Sequence, residues 1–225
     1  MRVRTRRIAA LSAASAVVFL LSGCVPADDW STPRTQPSPI GTLAPGFTDA
    51  AAIPAPGATI APRAGSWDAV NPPRGYRVVL LTQGDDPATT TLTTAVTEWA
   101  AAEEVSLRTI AVTKPDGAID GIVEAMELGP DLIVSAGADL VDPLAVVTAS
   151  HLDHEFLIIG AQLPEPTANV TASIWRGASS RGSEVANSPA TSDSDAVTPE
   201  RADAAVRAGV ASVLNDLTGI VISIG

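Results

Sequence analysis

Two pairs of carboxylates are the side chains of this sequence whose types and spacing suit acid–base chemistry. Asp85 and Asp86 are adjacent, and Asp139 and Asp142 are three residues apart. Such pairs can act as general acid and general base, which makes a hydrolase or a sugar-modifying enzyme one hypothesis. Each pair also stands where a helix is predicted to begin, and acidic residues there usually cap the helix. We favour capping, and we expect no enzymatic activity.

The histidines and the Gly-rich motifs give no support to a metal or a nucleotide cofactor. His151 and His154 form a His-x-x-His pair, but the third predicted helix ends there, and the helix dipole favours histidine at that place without a metal. Lys114 is the only lysine, and no Gly-x4-Gly-Lys-Ser/Thr occurs. Gly-x-Ser-x-Gly is absent, as is Gly-x-Gly-x-x-Gly after the first predicted strand. The sequence therefore predicts no metal site and no cofactor.

The only cysteine, Cys24, follows a stretch with the layout of an export signal. Met1–Arg7 is basic, and Ile8–Leu21 is uncharged and apolar but too short to span about 30 Å of hydrocarbon. Leu21–Cys24 (LSGC) resembles the bacterial lipobox, which implies cleavage before Cys24 and transfer of a diacylglyceryl group to its sulfur. Several acyl chains give stable anchoring. We expect residues 1–23 to be a lipoprotein signal peptide and Cys24 to hold the mature protein on the extracytoplasmic face of the cell membrane.

The charge balance excludes nucleic acid as a partner. The 225 residues include 14 Lys and Arg and 25 Asp and Glu, for a net charge of −11. Loss of residues 1–23 removes four arginines and no acid, which leaves −15. An acidic chain lacks the basic face that phosphate binding requires. One cysteine also leaves no intramolecular disulfide framework.

Proline divides the mature chain into two regions. Ten of the 18 prolines lie within residues 24–73, among Ala, Thr, Ser and Gly. This composition cannot sustain a helix or a sheet ladder, and it predicts an extended tether. Trp30, Phe47 and Trp67 are the residues of the tether that are candidates to pack back on the domain, Trp67 above all. A single domain is predicted over residues 74–225.

Short apolar runs alternate with segments of helical periodicity throughout the predicted domain. Strands are predicted over residues 76–82, 107–112, 131–135, 156–160, 170–175 and 218–224. Helices are predicted over residues 88–104, 116–128, 138–150 and 201–217, and a mobile loop over 188–198. Alternating strands and helices form right-handed crossovers, and runs that are apolar on both faces belong in a buried parallel sheet. The predicted fold is α/β, with a doubly wound, mostly parallel, flavodoxin-like sheet.

Small and polar residues follow most of the predicted strands. In an open parallel sheet, ligands bind beyond the carboxyl ends of the strands, where the strand order reverses. The candidate ligand-binding residues at these turns are Gln83, Asp85, Gly137, Asp139, Gln162 and Trp175. Glycine and aspartate also serve turn geometry and helix capping, so this pattern alone leaves a ligand site and a structural role both open.

Residues 76–182 resemble the first lobe of the basic membrane protein family. Asp131–Gly137 (DLIVSAG) is similar to the family's DLIIGVG segment, and Asn169–Arg176 (NVTASIWR) to its NVxSVxFRE strand. Members of this family are lipid-anchored solute-binding proteins of ABC importers with a periplasmic-binding-protein type I fold, and characterised members bind purine nucleosides. Their GGxxDxSFNQ loop holds the ligand through an Asp, an Asn and an aromatic ring. The corresponding loop here offers only Asp85 or Asp86 and lacks the Phe.

The resemblance implies a lipid-anchored solute-binding-protein-like lipoprotein, associated with the permease of an ABC importer for nucleosides or related small solutes. Solute-binding proteins close two lobes around a ligand, and we expect one lobe only from this chain. Base stacking is worth ~1–3 kcal/mol per ring, so loss of the family's rings predicts weak nucleoside binding. The alternative is a surface lipoprotein that serves as a protein-interaction or scaffold module and binds no small molecule.

Overall fold

The computed structural model describes residues 30–32, 35, 37–49, 53–180 and 196–225. The predicted signal peptide, Cys24 and most of the predicted loop 188–198 lie outside the described residues. The strands are β1 Thr59–Ile60, β2 Arg77–Gln83, β3 Ser106–Val112, β4 Leu132–Ala136, β5 Phe156–Ile159, β6 Ala161–Gln162, β7 Val170–Trp175, β8 Ser179–Ser180 and β9 Val221–Ile224. The helices are α1 Pro87–Ala102, α2 Ala118–Glu127, α3 Val141–Thr148 and α4 Pro199–Leu214, and a 3-10 turn, Pro115–Gly117, precedes α2.

Seven strands form one sheet in the order β1-β9-β7-β5-β4-β2-β3, and every neighbouring pair is parallel. Strands β6 and β8 form a separate parallel pair. Helices α1 and α4 cover one face of the sheet, and α2 and α3 cover the other. Apart from β1, this is the flavodoxin-like strand order, extended by one strand. The predicted doubly wound α/β fold is confirmed.

The strands are apolar on both faces because successive side chains point to opposite sides of the sheet. In β2, Val78 and Leu80 pack in the core with α1 and α4, whereas Val79 and Leu81 pack in the core with α2 and α3. All four side chains are fully buried. A sheet covered on both faces therefore requires the near-continuous apolar runs found in the sequence.

Residues 37–49 and 53–73, which we name the belt, follow the surface of the domain instead of leading away from it. The belt contains β1, which extends the sheet by pairing with β9. Phe47 and Trp67 are buried in the core beside α1 and α4. The composition of the belt predicts an extended tether, but the structure shows these residues packed against the domain. Proline excludes helix and central-strand hydrogen bonding, but it leaves an extended chain free to bury the aromatic side chains between the prolines.

All four helices differ from their predicted bounds by one to three residues at each end. Helix α4 ends at Leu214 instead of residue 217, because Asp216 adopts a φ of 57°, which lies in the left-handed region. Helix α3 begins at Val141 instead of residue 138, and its N-cap is Leu140, whose φ of −99° and ψ of 4° are not helical. Within the described ranges, none of the helices combines the length and the apolar character needed to cross a membrane.

Candidate functional site

The strand order reverses between β2 and β4. The chain leaves β2 for α1 on one face, and leaves β4 for α3 on the opposite face. Diverging connections open a cleft beyond the carboxyl ends of two neighbouring strands, and doubly wound sheets bind ligands there. Thr82 lies opposite Ala136 in the sheet. Residues 83–86 and 137–139 are therefore side by side at this edge, and together we name them the crevice.

Two carboxylates approach the backbone of Gly84 in the crevice. A β-carbon at Gly84 would lie 3.2 Å from Oδ2 of Asp139 and 3.6 Å from Oδ2 of Asp86. Gly84 has a φ of 86°, which glycine adopts without steric cost. The missing side chain lets Asp139, from the loop after β4, reach the loop after β2. The structure thus brings the predicted residue Asp139 close to Asp86 at Gly84, and the predicted residue Asp85 stands between Gly84 and Asp86 on the same loop. In the sequence, Asp86 is a member of an acid pair, a candidate cap and, as an alternative to Asp85, the counterpart of the family's ligand-holding Asp.

Asp86 caps helix α1. Its Oδ1 accepts hydrogen bonds from the backbone N–H groups of Ala88 at 2.9 Å and Thr89 at 3.1 Å, and its Oδ2 accepts one from the Thr89 hydroxyl at 2.6 Å. The Thr89 hydroxyl is the largest cause that lowers the pKa of Asp86, and the backbone donors act with it against the opposing effect of burial. The carboxylate therefore stays ionised at neutral pH. Capping, the favoured interpretation of this acid, is confirmed for Asp86.

Gln83 and Gly137 stand at the ends of the two strands that border the crevice. Gln83 is half-buried, and its Oε1 is buried with no hydrogen-bond partner among the described residues. Leaving a buried acceptor unpaired costs ~1–3 kcal/mol. The N–H of Gly137 donates to the carbonyl of Ile159 at 2.9 Å, so its backbone is held by the sheet. The Gln83 acceptor is therefore enclosed by the protein, and the Gly137 N–H is already used by the sheet.

The structure places the other two candidates outside the crevice. Trp175 ends β7, is 3% exposed and belongs to the core with α1 and α4. A β-carbon at Gly160 would lie 3.0 Å from Cδ1 of Leu92 and 3.3 Å from Cη2 of Trp175, so these side chains fill the space beyond β5. Gln162 lies in β6, which pairs with β8. Trp175 presents no ring face to a solute, because helix packing covers it, and nothing in its sequence neighbourhood signals this.

The crevice is acidic, and its described surroundings offer no exposed aromatic ring. It contains Asp85, Asp86 and Asp139 and no Lys or Arg. Every Phe, Trp and Tyr in the described part of the chain is buried. The potential of three carboxylates repels phosphate and carboxylate ligands and favours neutral polar or cationic ones.

No family model matches the sequence, and a search of the curated proteins finds no significant match. Among solved structures, the chain is similar to a solute-binding protein of an ABC transporter system from Aeropyrum pernix K1, with 20% identity and a TM-score of 0.40 over 45% of this chain and 29% of that one. A second such protein, from Conexibacter woesei DSM 14684, shows 17% identity and a TM-score of 0.38 over 44% of this chain and 35% of that one.

A third similar structure is a fragment described as a putative lipoprotein, from Peptoclostridium difficile 630. It shows 14% identity and a TM-score of 0.43, over 63% of this chain and 99% of that one. The matched region spans only 29% and 35% of the lengths of the two solute-binding proteins.

The His-x-x-His pair belongs to a structural turn between α3 and β5. The ring centroids of His151 and His154 are 6.4 Å apart. The side-chain amide of Asn169 donates to the carbonyls of His151 at 2.9 Å and His154 at 3.0 Å, which ties this turn to the start of β7. In the described ranges, no group of three or more His, Cys, Asp or Glu side chains is arranged to hold a metal ion.

A cavity of about 240 Å³ lies at the opposite, amino-terminal edge of the sheet, between the belt residues 37–39 and the starts of β4 and β5. Asp131, Glu155 and Asp216 line it. Burial, followed by repulsion from Asp216, raises the pKa of Glu155 to about 7. Its Oε2 is buried without a hydrogen-bond partner in the part of the chain described. Because this cavity is at the other end of the strands, it is separate from the crevice.

Proposed function

We propose that this protein is a lipid-anchored, extracytoplasmic lipoprotein of the solute-binding kind, whose crevice takes a small neutral or cationic polar solute. The observation that carries the proposal is the approach of Asp86 and Asp139 to Gly84 at the reversal of strand order. A solute hydroxyl or amine would donate to the exposed carboxylate of Asp139. Nucleosides and sugars are the first solutes to test, and an importer permease is the partner that this function implies.

The anchor is predicted to depend on the thiol of Cys24. Cells expressing the wild-type chain should incorporate radioactive palmitate into it, and Cys24→Ser should lose essentially all of that label, because a hydroxyl does not replace the thiol as acceptor. Ser22→Ala keeps a small residue before the cleavage site and should remain labelled. An unlabelled wild-type protein with a free Cys24 thiol would contradict the proposal.

Solute binding is predicted to raise the melting temperature of a soluble form that begins at residue 25. A ligand at 100 times its dissociation constant adds ~2.7 kcal/mol of stability, which is about 5–11 °C for a chain of this size. The panel contains nucleosides, nucleobases and sugars. Asp139→Asn should abolish most of the shift, whereas Asp120→Asn, an exposed acid on α2, should retain it.

A protein-interaction module is the second candidate. The observation that favours it is the burial of every described aromatic ring, Trp175 included, which leaves no stacking surface for a base. A flat thermal-shift panel together with a palmitate-labelled Cys24 would select this candidate. Crosslinking at the membrane surface would then recover the protein partner.

A further inference from the structure

Trp30 is fixed to the first residues of β2 and β3. Its indole is buried, and its Nε1–H donates to Oγ of Ser106 at 2.9 Å. The guanidinium of Arg108 lies 4.3 Å from the centroid of the indole, and that of Arg77 lies 5.9 Å from it, both within cation–π range. Arg77 also donates to the Trp30 carbonyl at 3.4 Å. Since Arg77 and Ser106 begin their strands, Trp30 is held at the amino-terminal edge of the sheet.

Because Trp30 is fixed, only residues 24–30, which we name the leash, connect the domain to the proposed lipid anchor. Trp30 is the sixth residue after Cys24. A chain spans at most about 3.3–3.6 Å per residue, so the Cα atom of Cys24 lies within about 20–22 Å of that of Trp30. A free tether over all of residues 24–73 would reach roughly 165 Å by the same rule. The anchor therefore keeps the amino-terminal edge close to the bilayer.

Large apolar side chains are exposed at the same edge. Five large apolar side chains among the described residues are highly exposed, and Ile40, Ile53 and Leu152 belong to this edge. The other two lie elsewhere: Ile119 is in the first turn of α2, at the opposite edge, and Val146 is on α3. Leu152 is in the turn before β5 and is 60% exposed. Ile40, 56% exposed, follows Pro39 of the amino-terminal cavity. Ile53, 90% exposed, precedes the turn at Gly57, whose N–H donates to the carbonyl of Gly219 just before β9.

The charged groups of this edge are of both signs and form no polybasic surface. Asp131, Glu155 and Asp216 line its cavity, Arg74 is paired with Glu104, and Arg77 and Arg108 lie against the indole of Trp30. Polybasic surfaces are the ones that anionic headgroups attract. The exposed apolar side chains of Ile40, Ile53 and Leu152 are suited instead to contact with a neutral lipid interface.

We infer that the amino-terminal edge faces the bilayer, with Ile40, Ile53 and Leu152 toward the lipid headgroups, and that the crevice opens away from the membrane. Trp30 is the clamp that shortens the tether to six residues. The inference rests on the proposed acylation of Cys24. The seven residues of β2 separate this edge from the crevice by about 20 Å, so the crevice is held clear of the lipid.

Site-specific fluorescence quenching tests this orientation. Full-length protein, processed by a bacterial host, is reconstituted into phosphatidylcholine vesicles that contain a headgroup-level quencher. Acylation occupies the only native thiol, so one introduced cysteine can be labelled. Leu152→Cys should be quenched at least about twofold more than Asp85→Cys, because about 20 Å of strand separates the two edges. Equal quenching, or stronger quenching at residue 85, would overturn the inference.

Trp30→Ala tests the clamp in the same assay. Arg77 also donates to the Thr32 carbonyl at 3.2 Å, so Trp30→Ala is combined with Arg77→Ala to release this segment. The belt then begins at residue 37, beside the cavity, and a leash of 13 residues reaches about 45 Å. Quenching at Leu152→Cys should fall at least about twofold in the double variant, and Thr32→Ala, which keeps the carbonyl, should leave it unchanged. Unchanged quenching in the double variant refutes the clamp. Mass spectrometry separates the failures: an unacylated Cys24 refutes the lipoprotein proposal and the orientation together, whereas an acylated protein with equal quenching refutes the orientation alone.

Discussion

Replacing Trp67 with alanine is expected to lower the free energy of unfolding by about 3–5 kcal/mol, as for other buried aromatic residues. Trp67 is 6% exposed and packs in the core with α1 and α4. Truncation would remove its contacts and leave a cavity that the sheet cannot fill. Urea denaturation of the soluble form beginning at residue 25 measures the loss directly.

Ile53→Ala is the matched control within the belt. Ile53 is 90% exposed, and surface substitutions usually change stability by less than about 0.5 kcal/mol. If Trp67→Ala cost no more than Ile53→Ala, the belt would not be part of the folded domain. A large difference in unfolding free energy between the two variants would show that the belt unfolds cooperatively with the rest of the domain.

Gly41→Ala is expected to destabilise the protein by about 3 kcal/mol, the sum of two physical costs. Gly41 has a φ of 83°, and an L residue in the left-handed region costs about 1–2 kcal/mol. A β-carbon would also overlap the carbonyl oxygen of Ala69, a backbone atom. Relief of this overlap requires the two arms of the belt to separate at the Ile40–Asn71 bridge. Overpacking adds about 1–3 kcal/mol.

Gly57→Ala isolates the conformational cost. Gly57 has a similar φ of 76°, but a β-carbon there would meet no atom within 4 Å. It should therefore lose only about 1–2 kcal/mol. Equal melting temperatures for the two variants would show that the belt arms are not in contact near Gly41. The difference in stability between Gly41→Ala and Gly57→Ala therefore measures the cost of the contact between residue 41 and the Ala69 carbonyl.

Periodicity in the sequence was enough to predict the α/β fold, because the strands and helices of this class are marked by apolar runs and helix-start residues that lie close together in the chain. The run from Tyr76 to Thr82 is apolar on both faces, as a strand inside a doubly covered sheet must be, and β2 occupies Arg77–Gln83. Pro87 at the start of α1 and the Asp before it are helix-start signals, and Asp86 is the cap. Helix ends were less predictable, since the left-handed conformation of Asp216 depends on the packing of the chain around it.

The candidate site followed from the sequence only in part. Strand order places Gln83, Asp85, Gly137 and Asp139 at one edge, as the rule for ligand sites in parallel sheets predicts. Trp175 appeared in the same sequence context, yet its ring is buried beside Leu92. Whether a side chain at a strand end faces a solute or the core depends on which helix covers it, and that contact joins residues far apart in the chain.

The sequence by itself determined the class of fold, the acidic character of the chain, the place of its single thiol, and the edge of the sheet at which a ligand would be sought. These properties are carried by composition and by short-range periodicity. Only the tertiary structure decided that residues 37–49 and 53–73 of the proline-rich stretch form a belt, that Trp30 is attached to β2 and β3, and that Trp175 is a core residue. Each of those facts is a contact between distant segments, and its energy comes from burial and cation–π geometry that no local pattern encodes.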